Sequence, residues 1–151
     1  MRLWRISDFV DLSGEGGLLE PARWHFQLRR VVYLADHPAS ALLEVIAHLE
    51  VDVEDIPDSY QLFAVDAADE ISFDVIERED LPPDWTEDPT TTQRFGDRWL
   101  ASNRTALLRV PSAIVPFAWN WLLNPLHVDW TRAHIGDIVR ARFDPRLFKS
   151  A

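Results

Sequence analysis

Hydrophobic and polar positions divide the chain into strand-like and helix-like pieces. Leu3 to Ile6 is a short apolar piece suited to an early strand, with Arg5 as a sheet-face cation between Trp4 and Ile6. Arg30 to Ala35, RVVYLA, has the β-branched and aromatic content of a central strand and sets Tyr33 on the face of Val31. Asp36 and Pro38 then form a helix-start signal, and the helix is expected to run to about Glu50. Leu42, Leu43, Ile46 and Leu49 fall at helical spacing as its core face, with Ser40, Glu44 and His48 in a row beside them. Tyr60 to Val65 and Ile71 to Ile76 alternate with the period of half-buried strands and are expected to pair antiparallel. Their inward candidates are Leu62, Ala64, Ile71, Phe73 and Val75.

Between and beyond these pieces, punctuation residues set the boundaries. Ser13 to Gly17 holds three of the five glycines and is expected to be a flexible turn. It does not open a helix after a strand in the manner of a dinucleotide-binding loop, because Leu18, Leu19 and Pro21 follow at once. Asp52 to Asp58 reads as an acidic linker, and Glu77 to Thr92, with Pro82, Pro83 and Pro89, as an irregular surface excursion. Gln93 to Ser102 predicts a short helix packing Phe95, Trp99 and Leu100, stopped by a left-handed Asn103. Ala106 to Val110 and Ser112 to Val115 are strand-like runs broken by Pro111, which implies a bulge or an edge. The Trp- and Asn-rich segment Phe117 to Trp130 ends in a Pro-turn, and Ile135 to Phe148 adds one more strand-like piece. Strands and helices mix without βαβ alternation, which predicts an α+β fold with a mostly antiparallel sheet core and flanking helices, in a single domain over residues 1–151.

Composition narrows the function classes. A formal charge of -10 argues against direct nucleic-acid binding, since phosphate contacts need a basic footprint. A local Arg can still hold an anionic ligand. With no Cys there is no thiolate nucleophile, disulfide framework or cysteine zinc site. The five His are spread without metal-ligand spacing, so no metal is expected. MRLWRISDF has no signal-peptide run, and no segment approaches the roughly 20 apolar residues of a membrane span. A cytoplasmic protein without membrane contact is expected. The serine-hydrolase, zincin, P-loop and Cys-based deaminase motifs are all missing.

Four polar residues sit where packing alone would not choose them: Arg23 in a loop, Tyr33 in a buried strand, Glu44 on a helix and Ser112 far down the chain. Singly, each has an ordinary explanation. Arg23 can cover an indole, Tyr33 can be a core aromatic, Glu44 can pair with His48, and Ser112 can belong to a turn.

Taken together, the blocks Ala22-Arg23-Trp24, Val31-Val32-Tyr33-Leu34-Ala35, Ala41-Leu42-Leu43-Glu44-Val45, Val110-Pro111-Ser112-Ala113 and Leu123-Asn124-Pro125-Leu126-His127 resemble the RES domain, a family named for its Arg, Glu and Ser. The match runs in order over nearly the whole chain. It departs where many members read Gly-Arg-Trp-Asn, since Ala22 precedes Arg23 here and His25 follows Trp24. The resemblance implies an ADP-ribosyltransferase-like fold and the toxin half of a bacterial type II toxin–antitoxin pair. It further implies degradation of cellular NAD as substrate, with no other cofactor, and a site made of Arg23, Tyr33, Glu44 and Ser112. A cognate helix-turn-helix, Xre-type antitoxin is the implied partner, and a homodimer stays open.

That chemistry suits the residue types. Breaking the nicotinamide–ribose bond passes through an oxocarbenium-like state that needs a carboxylate near the ribose, a role for Glu44. The Arg23 guanidinium suits forked binding of a pyrophosphate or ribose oxygen. Tyr33 would stack on nicotinamide or ribose, and Ser112 would hydrogen-bond the nicotinamide end or the ribose hydroxyls. Water is the expected acceptor. The alternatives are transfer of ADP-ribose to a protein through the same site, and a catalytically silent interaction module using the acidic, Trp-rich surface.

Overall fold

The computed structural model describes residues 1–148; the last three positions of the single domain expected over 1–151 lie outside the described residues. The strands are β1 (Arg2–Ile6), β2 (Val32–Ala35), β3 (Ser59–Ala67), β4 (Phe73–Val75), β5 (Leu107–Pro111), β6 (Trp119–Leu123) and β7 (Ala133–Arg142). The helices among the described residues are α1 (Gly16–Leu19), α2 (Pro38–His48) and α3 (Pro89–Ser102). All seven strands join one mixed sheet in the order β4-β5-β6-β2-β1-β3-β7, antiparallel except for the β4–β5 pair. The chain is therefore α+β, as its pattern predicts. No helix among the described residues is long and apolar enough to cross a membrane.

The register of β2 decides what each face carries. Its pairing sets Trp4 opposite Ala35, and Tyr33 and Ala35 opposite Leu122 and Asn120. Residues directly opposite share a face, so Trp4, Tyr33, Ala35 and Asn120 look one way while Val32 and Leu34 look the other. On the second face Val32, Leu34, Leu3, Phe63 and Leu123 join one buried cluster to which no α-helix contributes. On the first face α3 supplies Trp99, with Phe95 and Leu100, to a cluster holding Trp24, Trp85 and Val110. Helix α2 packs across β1 and β2 on the same side.

Several expected local features change once long-range contacts are in place. Tyr60–Val65 and Ile71–Ile76 do not pair: β3 lies between β1 and β7, and β4 runs parallel to β5 at the other sheet edge. Alternation identifies a strand but carries no information about its neighbour. At that edge Phe73 is 51% exposed instead of inward, whereas Ile71 is buried. Helix α3 begins four residues before the expected Gln93, because Asp88 caps it by accepting from the Thr90 N–H at 3.0 Å and Pro89 occupies its first turn. The cap of α2 is His37, whose Nδ1 accepts from the Ala39 N–H, and not Asp36. The expected leucine face of α2 is also displaced: Leu43 is 43% exposed while Ala41 is buried. Ser112 to Val115 is a turn, since the Ser112 Oγ accepts from the N–H groups of Ile114 and Val115, both at 3.1 Å. Pro111 ends β5 beyond the reach of β4, the edge position its missing N–H requires. Asn103 has φ 48, the left-handed stop read from the sequence.

The Gly-rich turn is packed rather than loose. Gly14 has φ 68, and a side chain there would meet the Val31 backbone nitrogen at 2.7 Å. From Gly16 the turn closes into the single helical turn of α1.

Candidate active site

The first face of the sheet holds a cavity of about 470 Å³, a volume suited to a small organic ligand. Ala41, Glu44, Val45 and His48 of α2 wall it, at the i, i+3, i+4, i+7 spacing of one helix face. This explains the displaced leucine face: the side of α2 turned to the sheet is the one bearing a small residue and a carboxylate. Trp4, Tyr33 and Asn120 come from the strands, and Ala22, Arg23 and Trp24 from the loop before β2.

Glu44 is held by its head group. Its Oε1 accepts from the Ser112 hydroxyl at 3.2 Å and from Asn120 Nδ2 at 2.7 Å, and its Oε2 has no hydrogen bond among the described residues. Ser112 is 3% exposed, and its hydroxyl is fully committed, donating to Glu44 and accepting from the two backbone N–H groups of its turn. Its carbonyl accepts from Arg78 Nη2 at 3.1 Å, and the Arg78 guanidinium lies 5.6 Å from the ring centre of Trp85.

Arg23 is held by its main chain. Its carbonyl accepts from Thr92 Oγ1 at 2.5 Å, the preceding Ala22 carbonyl accepts from Gln93 Nε2 at 2.9 Å, and Asp97 accepts the Phe26 N–H at 3.0 Å. Gly96 lets α3 come this close, since a β-carbon there would run into the Trp24 carbonyl. The guanidinium donates from Nη1 alone, to the Trp85 and Thr86 carbonyls at 3.4 and 3.0 Å. Nε and Nη2 have no partner among the described residues.

Tyr33 presents its ring rather than its hydroxyl. The oxygen accepts from the Trp24 N–H at 3.1 Å and lies 2.7 Å from His25 Nδ1. His25 Nε2 faces the Glu20 carbonyl at 3.0 Å, so that nitrogen carries the proton and Nδ1 accepts from Tyr33. Burial holds His25 below its ordinary value and pushes the Tyr33 phenol up, so both stay neutral near pH 7. His25, 2% exposed, thus fixes the loop to β2 at the very position where the sequence departs from Gly-Arg-Trp-Asn.

The four residues singled out in the sequence therefore divide. Arg23, Tyr33 and Glu44 line the cavity, and Ser112 touches it through Glu44. Asn120 and His48 were missed as cavity residues. Asn120 had one usable signal, an amide in the apolar run of β6. Arg5, read as a sheet-face cation, also lines the cavity, and its Nη1 donates to the Tyr33 carbonyl at 3.2 Å. Asn124 and His127 serve a turn: Asn124 Oδ1 accepts from the Leu126 N–H, and His127 Nδ1 from the Asp129 N–H.

The RES domain family model matches residues 2–144. The chain belongs to the RES domain family. Its relatives include "Toxin Res" of Pseudomonas putida, 45% identical over 98% of this chain and 100% of that one. "Prs ADP-ribosylating toxin" of a Sphingobium species is 34% identical over 98% of this chain and 97% of that one. Among solved structures, the M. tuberculosis MbcT–MbcA toxin–antitoxin complex holds a chain of similar fold, with TM-score 0.75 and 20% identity over 97% of this chain and 85% of that one.

Proposed function

We propose that this RES-domain chain is the toxin of a toxin–antitoxin pair and that it hydrolyses NAD at the nicotinamide–ribose bond. The observation that carries the reading is Glu44: a carboxylate oriented through one oxygen, with no partner for the other among the described residues, beside a cavity that also holds an aromatic ring and a guanidinium. In the reaction the C1′–N bond breaks and its electron pair neutralises the pyridinium nitrogen, releasing nicotinamide. Positive charge left on the ribose is stabilised by Glu44, and a water oxygen bonds C1′ and releases one proton to bulk solvent. Arg23 takes the pyrophosphate or a ribose oxygen with its unpaired donors, and the Tyr33 ring stacks on the nicotinamide or ribose. Ser112 acts through Glu44, its hydroxyl being committed there instead of meeting the nicotinamide or ribose.

The names of the relatives support the toxin role, and the solved complex supports an antitoxin as partner, of the helix-turn-helix type implied by family resemblance. The ADP-ribosylating name of the Sphingobium relative favours a second reading, transfer of ADP-ribose to a protein by the same site. Incubation of the purified chain with NAD, followed by chromatography, tests both. The hydrolase yields nicotinamide and free ADP-ribose in equal amounts. A transferase in the presence of bacterial lysate yields nicotinamide with the ADP-ribose mass on protein. No nicotinamide in either arm contradicts both.

A further inference from the structure

Asn120 sits in β6 between two strands, opposite Ala35 of β2 and Val110 of β5, so its backbone is fixed on both sides. Its Nδ2 makes the shorter of the two bonds to Glu44 Oε1, at 2.7 Å against 3.2 Å from Ser112. Its Oδ1 is buried and has no hydrogen-bond partner among the described residues. A buried acceptor without a donor destabilises a fold, and an apolar side chain of similar shape would avoid that penalty. Packing therefore gives no reason for an amide here. The orientation of the amide is not arbitrary either: a carboxylate only accepts, so Nδ2 must face Glu44 and Oδ1 must take the other side.

We propose that Asn120 is a positioning residue for the cleavage reaction, retained at a cost in stability to fix the plane of the Glu44 carboxylate and leave Oε2 as the oxygen presented to the ribose. This inference rests on the proposed NAD chemistry. Ser112 cannot perform the task alone. Its hydroxyl belongs to a turn outside the sheet and makes the longer bond, whereas Asn120 ties the carboxylate of α2 to the centre of the sheet. Two donors on one oxygen define a plane, and one donor leaves the carboxylate free to rotate.

Two variants test the assignment. Asn120→Leu keeps the approximate shape and removes both the donor and the orphaned acceptor. The expected result is a fall of about 100-fold in kcat for nicotinamide release, a KM for NAD within about threefold of wild type, and a melting temperature equal to or above it. Asn120→Asp places a second carboxylate against Glu44, so the acid limb of the kcat–pH profile moves to higher pH. A merely structural Asn would instead lower the melting temperature and leave kcat of Asn120→Leu near that of wild type. Wild-type kcat in Asn120→Leu, or an unmoved limb in Asn120→Asp, overturns the proposal. If the wild-type chain releases no nicotinamide, the NAD reading fails by itself. The coupling is then read by 13C NMR titration of the Glu44 side-chain carboxyl in wild type and Asn120→Asp: an upward shift supports the contact, and coincident titrations refute it.

Discussion

Glu44 and Arg23 line one cavity but are held by opposite ends. Glu44 is pinned at its carboxylate by side chains, Ser112 and Asn120, whereas Arg23 is pinned at its backbone by α3 and keeps donors unused. Under the proposed NAD chemistry, the difference follows from what each group would do. A carboxylate that meets developing charge works best when its orientation is settled beforehand. A guanidinium that grips a flexible dinucleotide needs correct placement but must not spend its donors on the protein. Changes at the first end should therefore act on turnover, and changes at the second on binding and on the fold.

Gly96→Ala gives the largest expected effect on stability. Its β-carbon would collide with Trp24 backbone on one side and helix on the other, so neither can yield without undocking the Arg23 loop from α3. A loss of about 3 kcal/mol, or roughly 10 °C in melting temperature, is expected by thermal denaturation. An unchanged melting temperature would break the view that α3 carries Arg23.

A pair of kinetic variants sharpens the contrast. Ser112→Ala removes one donor from Oε1 and should lower kcat about tenfold, with KM for NAD within about twofold. Arg23→Lys keeps the charge but loses the fork, and should raise KM about tenfold with kcat little changed. Steady-state kinetics on both proteins decide the matter, and the reverse pattern would exchange the two roles.

The smallest effect concerns His25. Its folded-state value is depressed by burial, so it is neutral in the fold and gains a proton more readily in the unfolded chain. Its contribution to stability is complete above its ordinary 6.5 and is lost as pH falls toward its lowered folded value. Melting temperature should consequently drop more steeply from pH 7 to pH 5 in wild type than in His25→Gln. Parallel slopes would mean that His25 does not titrate on unfolding.

The fold class and the order of most elements were legible because periodicity and caps are local. β2, α2 and the Asn103 stop are close to where the pattern put them. The place of β4 was not legible, since an alternating run does not name its partner, and its strand lies at the opposite end of the sheet from β7, the other edge. The face of α2 was misread because the side turned to the sheet carries Ala41, Glu44 and His48, which line the cavity, while three leucines are exposed or half-buried. The order of the motifs led to Arg23, Tyr33 and Glu44, which line one cavity, whereas the contacts that Ser112 and His25 make join distant segments. Asn120 stayed hidden among tryptophans because its meaning lies in a bond to a residue 76 positions earlier.

The most direct measurement is nicotinamide release from NAD by Glu44→Gln beside the wild-type chain, with thermal melts of both. Gln keeps the shape but cannot stabilise a cation on the ribose. The expected result is rapid release by wild type, a loss of about a thousandfold in the variant, and matching melts. Release by folded Glu44→Gln within about twofold of wild type would mean that the carboxylate does not supply a large share of the rate.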